Sequence, residues 1–383
     1  MQISEPDPIP FSQQLFSTLK IAKVFRHSTK PITSLSFDDT GEVCVTSAED
    51  ESLRVYDCRQ GKLKATLFSK KYGVNLARFT HRQNNVIYAS TKEDDTLRYL
   101  SLHDNKYIRY FKGHRKRVVA LEMSPLDDQF LSAAMDDTVR LWDLRSSACQ
   151  GLIHISGRPT VAFDQSGLVF AVGLDSNTVK VYDLKAFDKG PFDTWVVRDP
   201  NLPYMAPVPE WTGLKFSNDG KHILITTAGD VHYLIDSFSG QFKQLFVGHS
   251  GVGNIKGGGE AGFTPDGRFV ISGSQDGMIH IWDIQNPNPD GRPMTSLEGL
   301  TATVGVVGFN PKYMMMASAY TELVCFLALG FFHCRIGWKG VCYTRTTIVP
   351  RHPESYWMFP VFDWSDIKGW VSLRTHSEVI SQH

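Results

Sequence analysis

Short apolar stretches of four to six residues, separated by turns rich in Gly, Asp, Asn and Ser, follow one another through most of this chain. One group of three consists of Val118 to Met123, Gln129 to Ala133 and Thr138 to Trp142, with an acidic turn at 135–137 before the third stretch. No long segment has the period of an amphipathic helix. Apolar stretches of this length, bounded by such turns, predict an all-β protein.

The same grouping recurs along the chain as an internal repeat. The tripeptides Leu-Trp-Asp and Ile-Trp-Asp, which end at Asp143 and Asp283, close the third strand of their units, and weaker copies end at 57, 101, 183 and 236. Successive units therefore lie 40 to 53 residues apart, and a seventh follows within Gly305 to Phe326. A fourth strand, such as Lys62 to Leu67, comes after each third strand. Four-stranded units of about this length are the blades of a β-propeller.

The ends of the repeat region predict how the ring closes. The seventh unit lacks a regular fourth strand after Phe326, whereas Ile21 to Arg26 has the pattern of a fourth strand and no blade of its own. We expect this N-terminal strand to complete the seventh blade, because closure removes exposed strand edges. The prediction is a seven-bladed propeller over residues 20–328, with an N-terminal extension at 1–19.

Residues 329–383 form an irregular C-terminal tail with a different composition. Trp338, Trp357, Trp364 and Trp370, half of the eight tryptophans, lie there, and no repeat or strand alternation is visible. Two interpretations stay open: a lineage-specific extension that folds against the propeller, or a poorly ordered gene-model artefact. We favour the artefact, because so much unpatterned aromatic surface promotes aggregation.

Two units carry a complete set of four polar and aromatic side chains at matching positions. These are a His on the loop that enters the blade, a Ser on the second strand, an Asp in the following turn and a Trp on the third strand. The two sets are His114, Ser132, Asp136 and Trp142, and His249, Ser272, Asp276 and Trp282. We expect each set to form one buried hydrogen-bonded chain, which stabilises a fold when every member is satisfied. Blades with incomplete sets are expected to depend on packing.

Composition and missing motifs exclude several classes of function. The chain has 40 basic and 40 acidic residues, so binding of nucleic acid or an anionic membrane through bulk charge is disfavoured. No nucleophile elbow, phosphate loop or zinc-protease motif occurs, and the Gly-rich stretch Gly251 to Gly262 has no following helix. The six cysteines lack a C-x-x-C pair, which favours reduced thiols. We therefore expect no enzyme activity, cofactor, metal or membrane role.

Two neighbouring loops on one face of the predicted ring are basic. Lys70, Lys71 and Tyr72 lie in the loop entering the second blade, and Arg115, Lys116 and Arg117 in the loop entering the third. Such a pair suits an acidic or phosphorylated peptide through charge-assisted hydrogen bonds. The alternative is a solvated rim, neutralised by acidic residues in the adjacent turns. The long loops at 197–210 and 248–259 are either docking elements or tolerated insertions.

The repeat resembles the WD-repeat family, which has Gly-His, Ser or Thr, Asp and Trp at the positions described above. Longer stretches, spread over about residues 22–326, are similar to one branch of that family, the small propeller subunit of the COMPASS-type histone H3 methyltransferase complex. These stretches are Ser69 to Gly73, Leu97 to Phe111 with Gly113 and His114, Arg117 to Leu121, Gly167 to Ala171, Phe187 to Phe192, Glu210 to Lys221 and Phe309 to Lys312.

The resemblance implies a non-catalytic nuclear scaffold. It implies binding to the N-terminal region of the methyltransferase subunit, a role in methylation of lysine 4 of histone H3, and membership of cleavage and polyadenylation, phosphatase and transcription-termination complexes. The family also associates with RNA polymerase II, and our own inference is that the basic loops suit the phosphorylated polymerase tail. No direct sequence-specific nucleic-acid binding is expected. Two alternatives stay open: a substrate receptor of a cullin-type ubiquitin ligase, suggested by Trp142 to Arg145, and a generic WD scaffold outside chromatin.

Overall fold

Seven four-stranded antiparallel sheets account for most of the residues that the structure describes. The structure is a computed structural model, and it describes residues 11–82, 84–200, 208–251, 261–299, 302–328, 335–336 and 342–343. Six sheets use four strands that are consecutive along the chain, and the seventh combines strands from the two ends of the repeat region. This arrangement confirms the all-β, seven-bladed propeller.

The elements are numbered in chain order. A short helix, α1 (Gln13–Ser17), precedes β1 (Leu19–Phe25). Blade 1 contains β2 (Ile32–Phe37), β3 (Val43–Ala48), β4 (Ser52–Asp57) and β5 (Lys62–Phe68), and blade 2 contains β6 (Asn75–Phe79), β7 (Asn85–Ala89), β8 (Leu97–Ser101) and β9 (Lys106–Phe111). Blade 3 contains β10 (Val118–Met123), β11 (Gln129–Ala134), β12 (Thr138–Asp143) and β13 (Ser146–His154). Blade 4 contains β14 (Thr160–Phe163), β15 (Val169–Leu174), β16 (Thr178–Asp183) and β17 (Asp193–Val196), with a 3-10 turn at Phe187–Lys189.

The remaining blades follow the same plan. Blade 5 contains β18 (Trp211–Phe216), β19 (His222–Thr227), β20 (Val231–Asp236) and β21 (Phe242–Val247). Blade 6 contains β22 (Gly262–Phe263), β23 (Phe269–Gly273), β24 (Met278–Asp283) and β25 (Thr295–Glu298), and blade 7 contains β26 (Val306–Phe309), β27 (Met315–Ala319) and β28 (Leu323–Ala328) together with β1. A separate two-stranded pair is formed by β29 (Arg335–Ile336) and β30 (Cys342–Tyr343), and the rest of the tail lies outside the described residues.

The N-terminal strand closes the ring, as predicted. β1 pairs antiparallel with β28, and Val24 lies opposite Val324. The strand covers Leu19–Phe25, slightly upstream of the predicted Ile21 to Arg26. Because β1 occupies the outer edge of blade 7, β28 is paired on both sides.

A side chain of blade 7 also contacts the first turn of blade 1. The buried Asn310 carboxamide donates to the carbonyl of Gly41 at 2.7 Å. Gly41 has φ +70, and a Cβ there would overlap the Asn310 amide oxygen. Glycine is therefore needed at this turn both for its backbone conformation and for the close approach of the neighbouring blade.

Part of the predicted N-terminal extension belongs to the core. Ser12 caps α1, and Phe11, Leu15 and Phe16 are buried against blades 6 and 7. The Phe16 ring packs edge-on against Phe269 with centroids 4.9 Å apart. A helix of five residues is too short to show a helical period, so the sequence pattern did not predict it.

The core lies mainly between neighbouring blades. One cluster joins residues of blade 2, such as Ile87 and Tyr99, to Phe130 and Trp142 of blade 3. The second and third strands are largely buried, whereas outer strands such as β9 alternate between exposed and partly buried residues. Loops at the ends of the strands and the outer strands are therefore the surfaces that partners can reach. Within the described ranges, no helix has the length and apolar character needed to cross a bilayer.

Candidate partner-binding face

In blade 3 four side chains form one buried hydrogen-bonded chain. Nδ1–H of His114 donates to the Asp136 carboxylate at 3.1 Å, the Ser132 hydroxyl donates to Nε2 of His114 at 2.7 Å, and the Trp142 indole N–H donates to Ser132 Oγ at 2.8 Å. This assignment of donors is the one that satisfies all four groups. Ser132 lies on β11 and Trp142 on β12, while the entering loop and the turn of the same blade supply His114 and Asp136. The fold thus brings together the four residues predicted for this blade.

The same chain positions the basic loop at 115–117. Burial opposes ionisation of Asp136, but hydrogen bonds from Thr138 and from the backbone N–H of Arg115 hold its pKa below the usual value. Burial lowers the pKa of His114, so this ring is neutral at pH 7. The Arg115 N–H lies 2.9 Å from Asp136 Oδ2, which fixes the start of the loop.

The chain predicted for His249, Ser272, Asp276 and Trp282 in blade 6 does not form. The Trp282 indole N–H donates to the backbone carbonyl of Gly291 at 3.1 Å instead of to Ser272. His249 is buried, and within the described residues neither of its ring nitrogens has a well-formed hydrogen bond. The prediction that these four side chains are linked is therefore wrong.

Two other histidines take the places that the prediction gave to His249. His280 on β24 approaches Asp276 with Nε2 at 3.2 Å from Oδ2, and its Nδ1 lies 2.8 Å from Ser296 Oγ. His232 on β20 of blade 5 approaches Ser272 with Nε2 at 3.0 Å from Oγ. Both partners that His249 requires are thus already hydrogen-bonded to histidines on strands.

Blades 1 and 2 have an ion pair where their sets of four are incomplete, buried in blade 1 and exposed at Asp94 in blade 2, so the prediction that these blades depend on packing missed a polar contact in each. The Arg54 guanidinium binds the Asp50 carboxylate at 2.7 Å, and the Arg98 guanidinium binds both oxygens of Asp94 at 2.8 and 3.0 Å. Burial opposes ionisation of Asp50, but hydrogen bonds from Arg54 and Ser52 lower its pKa to about 2. In both blades the turn Asp is satisfied by an Arg on the third strand.

The side chains that bind the turn Asp, which the sequence analysis did not predict, all lie at the same distance from it along the chain. Arg54, Arg98 and His280 each follow the turn Asp by four positions, and the pairs are close enough for a hydrogen bond. Arg140 occupies the same position in blade 3, but there the turn Asp is bound by His114. A basic residue four positions after the turn Asp is thus a signal that the sequence contained.

The first basic loop combines exposed lysines with an aromatic ring. Lys70 and Lys71 are exposed, and the Lys71 ammonium lies 5.2 Å from the centre of the Tyr72 ring. The Arg98 guanidinium also contacts this ring, at 3.6 Å from the ring centre. Because Arg98 is buried and bound to Asp94, Tyr72 is held at the surface of blade 2 by a cation–π contact.

The three basic residues of the second loop differ in their exposure to solvent. Arg115 and Lys116 are exposed, whereas Arg117 is half-buried. Burial, together with the positive charge of Arg158, lowers the pKa of Arg117. Arg117 is therefore partly a structural residue, and the accessible charge of this loop is on Arg115 and Lys116.

Two acidic residues in the adjacent turns are bound by other side chains of the fold. Asp94 is bound by Arg98, and Asp136 by the chain through His114. Within the described residues, Lys70, Lys71 and Lys116 have no ion-pair partner. These side chains are thus available to an acidic partner, beside the exposed Glu93 and Asp137 of the adjacent turns. The loop segments 201–207 and 252–260, in the two predicted long loops, lie outside the described residues.

A ring of seven four-stranded blades with this hydrogen-bonded chain is a WD-repeat β-propeller. Residues 19–57, 105–143 and 240–283 match the family model described as WD domain, G-beta repeat. The chain is 49% identical over 311 residues to WD repeat-containing protein 82 of Drosophila melanogaster, covering 81% of this chain and 94% of that protein.

Two fungal proteins are also similar over most of their length. Identity is 37% over 333 residues to Set1 complex component swd2 of Schizosaccharomyces pombe, covering 76% of this chain and 91% of that protein. Identity is 39% over 299 residues to COMPASS component SWD2 of Saccharomyces cerevisiae, covering 76% of this chain and 88% of that protein. The chain belongs to the family of WD-repeat proteins that includes WD repeat-containing protein 82 and Swd2, which confirms the family resemblance.

Proposed function

We propose that this protein is a non-catalytic scaffold subunit of a Set1/COMPASS-type histone H3 lysine-4 methyltransferase complex and acts in the nucleus. The observation that carries the proposal is identity of 37% and 39% to proteins named as Set1 complex and COMPASS components, over 76% of the chain in each case. Roles in 3′-end processing, in phosphatase-containing complexes and in transcription termination stay predictions from the resemblance.

The geometry of blade 3 supports a structural role for a group of side chains that resembles catalytic machinery. Asp136, His114 and Ser132 are linked in the order of a hydrolase triad. However, Ser132 is 0% exposed, and its Oγ accepts the indole N–H of Trp142. A nucleophile must reach its substrate, so this Ser-His-Asp chain serves the fold and not hydrolysis.

The two basic loops are the proposed partner-binding site. Lys70, Lys71, Arg115 and Lys116 are exposed, and Tyr72 adds an aromatic surface beside them. An acidic or phosphorylated peptide, such as the phosphorylated tail of RNA polymerase II, has the complementary charge. Arg117 supports the loop from a half-buried position.

Affinity purification of the tagged full chain from nuclear extract, followed by mass spectrometry, tests the assembly. We expect the methyltransferase subunit and other members of a Set1/COMPASS-type complex to be enriched. Recovery of a cullin adaptor in their place would support the ubiquitin-ligase alternative, and recovery of neither would support a scaffold outside chromatin. Both outcomes contradict the proposal.

A charge-reversal variant tests the binding face in the same assay. Lys70→Glu, Lys71→Glu and Arg115→Glu are combined, and Arg117 is kept because it is half-buried. Lys62→Glu and Lys64→Glu on β5, which are also exposed lysines, form the matched control. We expect the first variant to lose at least about tenfold in partner recovery and the control to lose none. Equal recovery would exclude the loops as the binding site.

A further inference from the structure

A groove on the outer wall of the ring lies between the outer strands of blades 2 and 3. It is lined by Ile108, Arg109, Tyr110, Lys112 and Ser147 and has a volume of about 520 Å³. Among the described strands, β9 pairs only with β8 and β13 only with β12. The groove is therefore bordered by strand edges whose outer backbone groups have no strand partner.

Two of the residues that line the groove are apolar and exposed to solvent. Ile108 is 46% and Tyr110 44% exposed, although both are large hydrophobic side chains. Exposed apolar side chains beside a concave surface are typical of protein-binding sites. The two residues lie two positions apart on β9 and so point to the same side of the strand.

Arg109 gives the groove an unsatisfied cationic donor. Its Nε is buried and has no hydrogen-bond partner among the described residues. The carboxylate that its charge influences, Asp143, is already bound by the Arg145 guanidinium at 2.6 and 2.9 Å. Arg109 thus has no ion-pair partner among the described residues, and a ligand carboxylate that reaches its Nη groups would form a charge-assisted hydrogen bond.

The charge around the groove is positive. Lys112 is exposed and has no ion pair among the described residues. Lys106 is also exposed, and its Nζ lies 3.8 Å from Oδ2 of Asp104, which makes a weak ion pair. Tyr110 also lies 5.5 Å from Tyr107, whose ring contacts Tyr72 of the first basic loop at 6.4 Å. A row of tyrosine rings thus connects the groove to the first basic loop.

We propose that this groove binds an extended segment of a partner protein that alternates Asp or Glu with apolar residues. The carboxylates would bind Arg109 and Lys112, the apolar side chains would pack on Ile108 and Tyr110, and the segment's backbone would pair with the free edge of β9. We choose carboxylates because Arg109 and Lys112 are two separate single charges, which match singly charged groups spaced along an extended segment. The proposal does not depend on which complex the protein joins.

Fluorescence anisotropy with the purified full chain tests the proposal. The probe is a fluorescein-labelled peptide of about eight residues in which Asp alternates with Leu, long enough to run beside β9. We expect saturable binding that weakens with added salt. Arg109→Gln and Ile108→Asn should each reduce affinity about tenfold, while Lys62→Gln on the outer strand of blade 1 should leave it unchanged.

Further measurements separate loss of binding from loss of folding and identify the ligand class. Ile108 is exposed, so I108N should keep the melting temperature of the unchanged protein even if R109Q lowers it. A benzophenone in place of the central Leu of the probe should attach within 106–112 or 146–152. Attachment elsewhere, equal binding of an Asn-for-Asp probe, binding of a phosphoserine probe only, or no binding at about 1 mM would each overturn the proposal.

Discussion

The imidazole rings of His249 and His232 pack against each other between blades 5 and 6, with their centroids 4.2 Å apart and their planes tilted by 35°. Burial, and then the positive charge of His280, lower the pKa of His249 to about 4. Burial, and then the charge of His249, also hold the pKa of His232 well below its usual value. Both rings are therefore neutral at pH 7, and protonation of either one disfavours the folded state.

The packing of His249 against His232 predicts a loss of stability in mild acid. In the unfolded chain His249 takes up a proton near pH 6.5, but in the folded chain only near pH 4. Between these values the unfolded state binds more protons, so the free energy of unfolding falls as the pH falls. We expect a loss of about 3 kcal/mol from this residue, measured by urea unfolding at pH 7, 6, 5 and 4.5.

A variant and a control test whether His249 and His232 cause this pH dependence of the free energy of unfolding. His249→Phe keeps an aromatic ring against His232 and Trp282 and removes the titrating group, so its stability should vary less with pH. His103→Gln, at an exposed position, should leave the slope unchanged. A slope that is the same in H249F and in the unchanged chain would show that other groups cause the acid sensitivity.

The two turn aspartates of blades 3 and 6 should differ in their contribution to stability. Asp136, with a side chain 6% exposed, accepts hydrogen bonds from His114, Thr138 and the Arg115 backbone. Asp276, with a side chain 40% exposed, accepts from the Met278 backbone N–H at 2.8 Å and lies 3.2 Å from Nε2 of His280. We expect Asp136→Ala to cost about 2 to 4 kcal/mol and Asp276→Ala less than about 1 kcal/mol in urea unfolding. Equal costs would contradict the structural difference between the two blades.

Removal of Phe16 should destabilise the ring although this residue precedes the first strand. Its ring is buried and packs edge-on against Phe269 of blade 6. Phe16→Ala leaves a cavity and should cost about 3 to 5 kcal/mol, seen as a lower melting temperature by calorimetry. Phe238→Ala, at a side chain 78% exposed, is the matched control and should have almost no effect. If both variants have the same melting temperature, the N-terminal segment does not contribute to the core.

Loss of β1 should expose the edge of β28 and cause self-association. Deletion of residues 1–25 removes the outer strand of blade 7, and an unpaired edge is a template for pairing between chains. We expect dimers or larger species by size-exclusion chromatography with light scattering. A synthetic peptide covering residues 11–26 should restore the monomer. A deleted chain that stays monomeric at its original melting temperature would exclude closure by this strand.

Sequence reasoning predicted the blades well, because a blade is a local unit. Each strand and turn is encoded within about 45 residues, so alternation, turn residues and repeat spacing suffice to place it. The link between His114 and Ser132 is of the same kind, since both lie in blade 3. Pairing of β1 with β28 was also predictable, because the chain contained one strand without a blade and one blade without a strand.

Contacts that depend on competition between side chains were not predictable in the same way. His249 has the sequence position of His114, yet His280 and His232 bind the Asp and Ser of its blade. His232 belongs to blade 5, so its approach to Ser272 depends on how two blades pack and not on the repeat. The Arg54 and Arg98 pairs were visible as an offset, but the burial of the two arginines was not.

The sequence by itself determined the seven-bladed ring, its closure and the basic loops, because these follow from strand spacing and local charge. Only the tertiary structure decided which polar side chains are partners, which part of the N-terminal extension is core, and that Arg109 faces a groove between two blades. Those outcomes depend on contacts between residues far apart in the chain, where several donors compete for one acceptor and only the packed geometry selects among them.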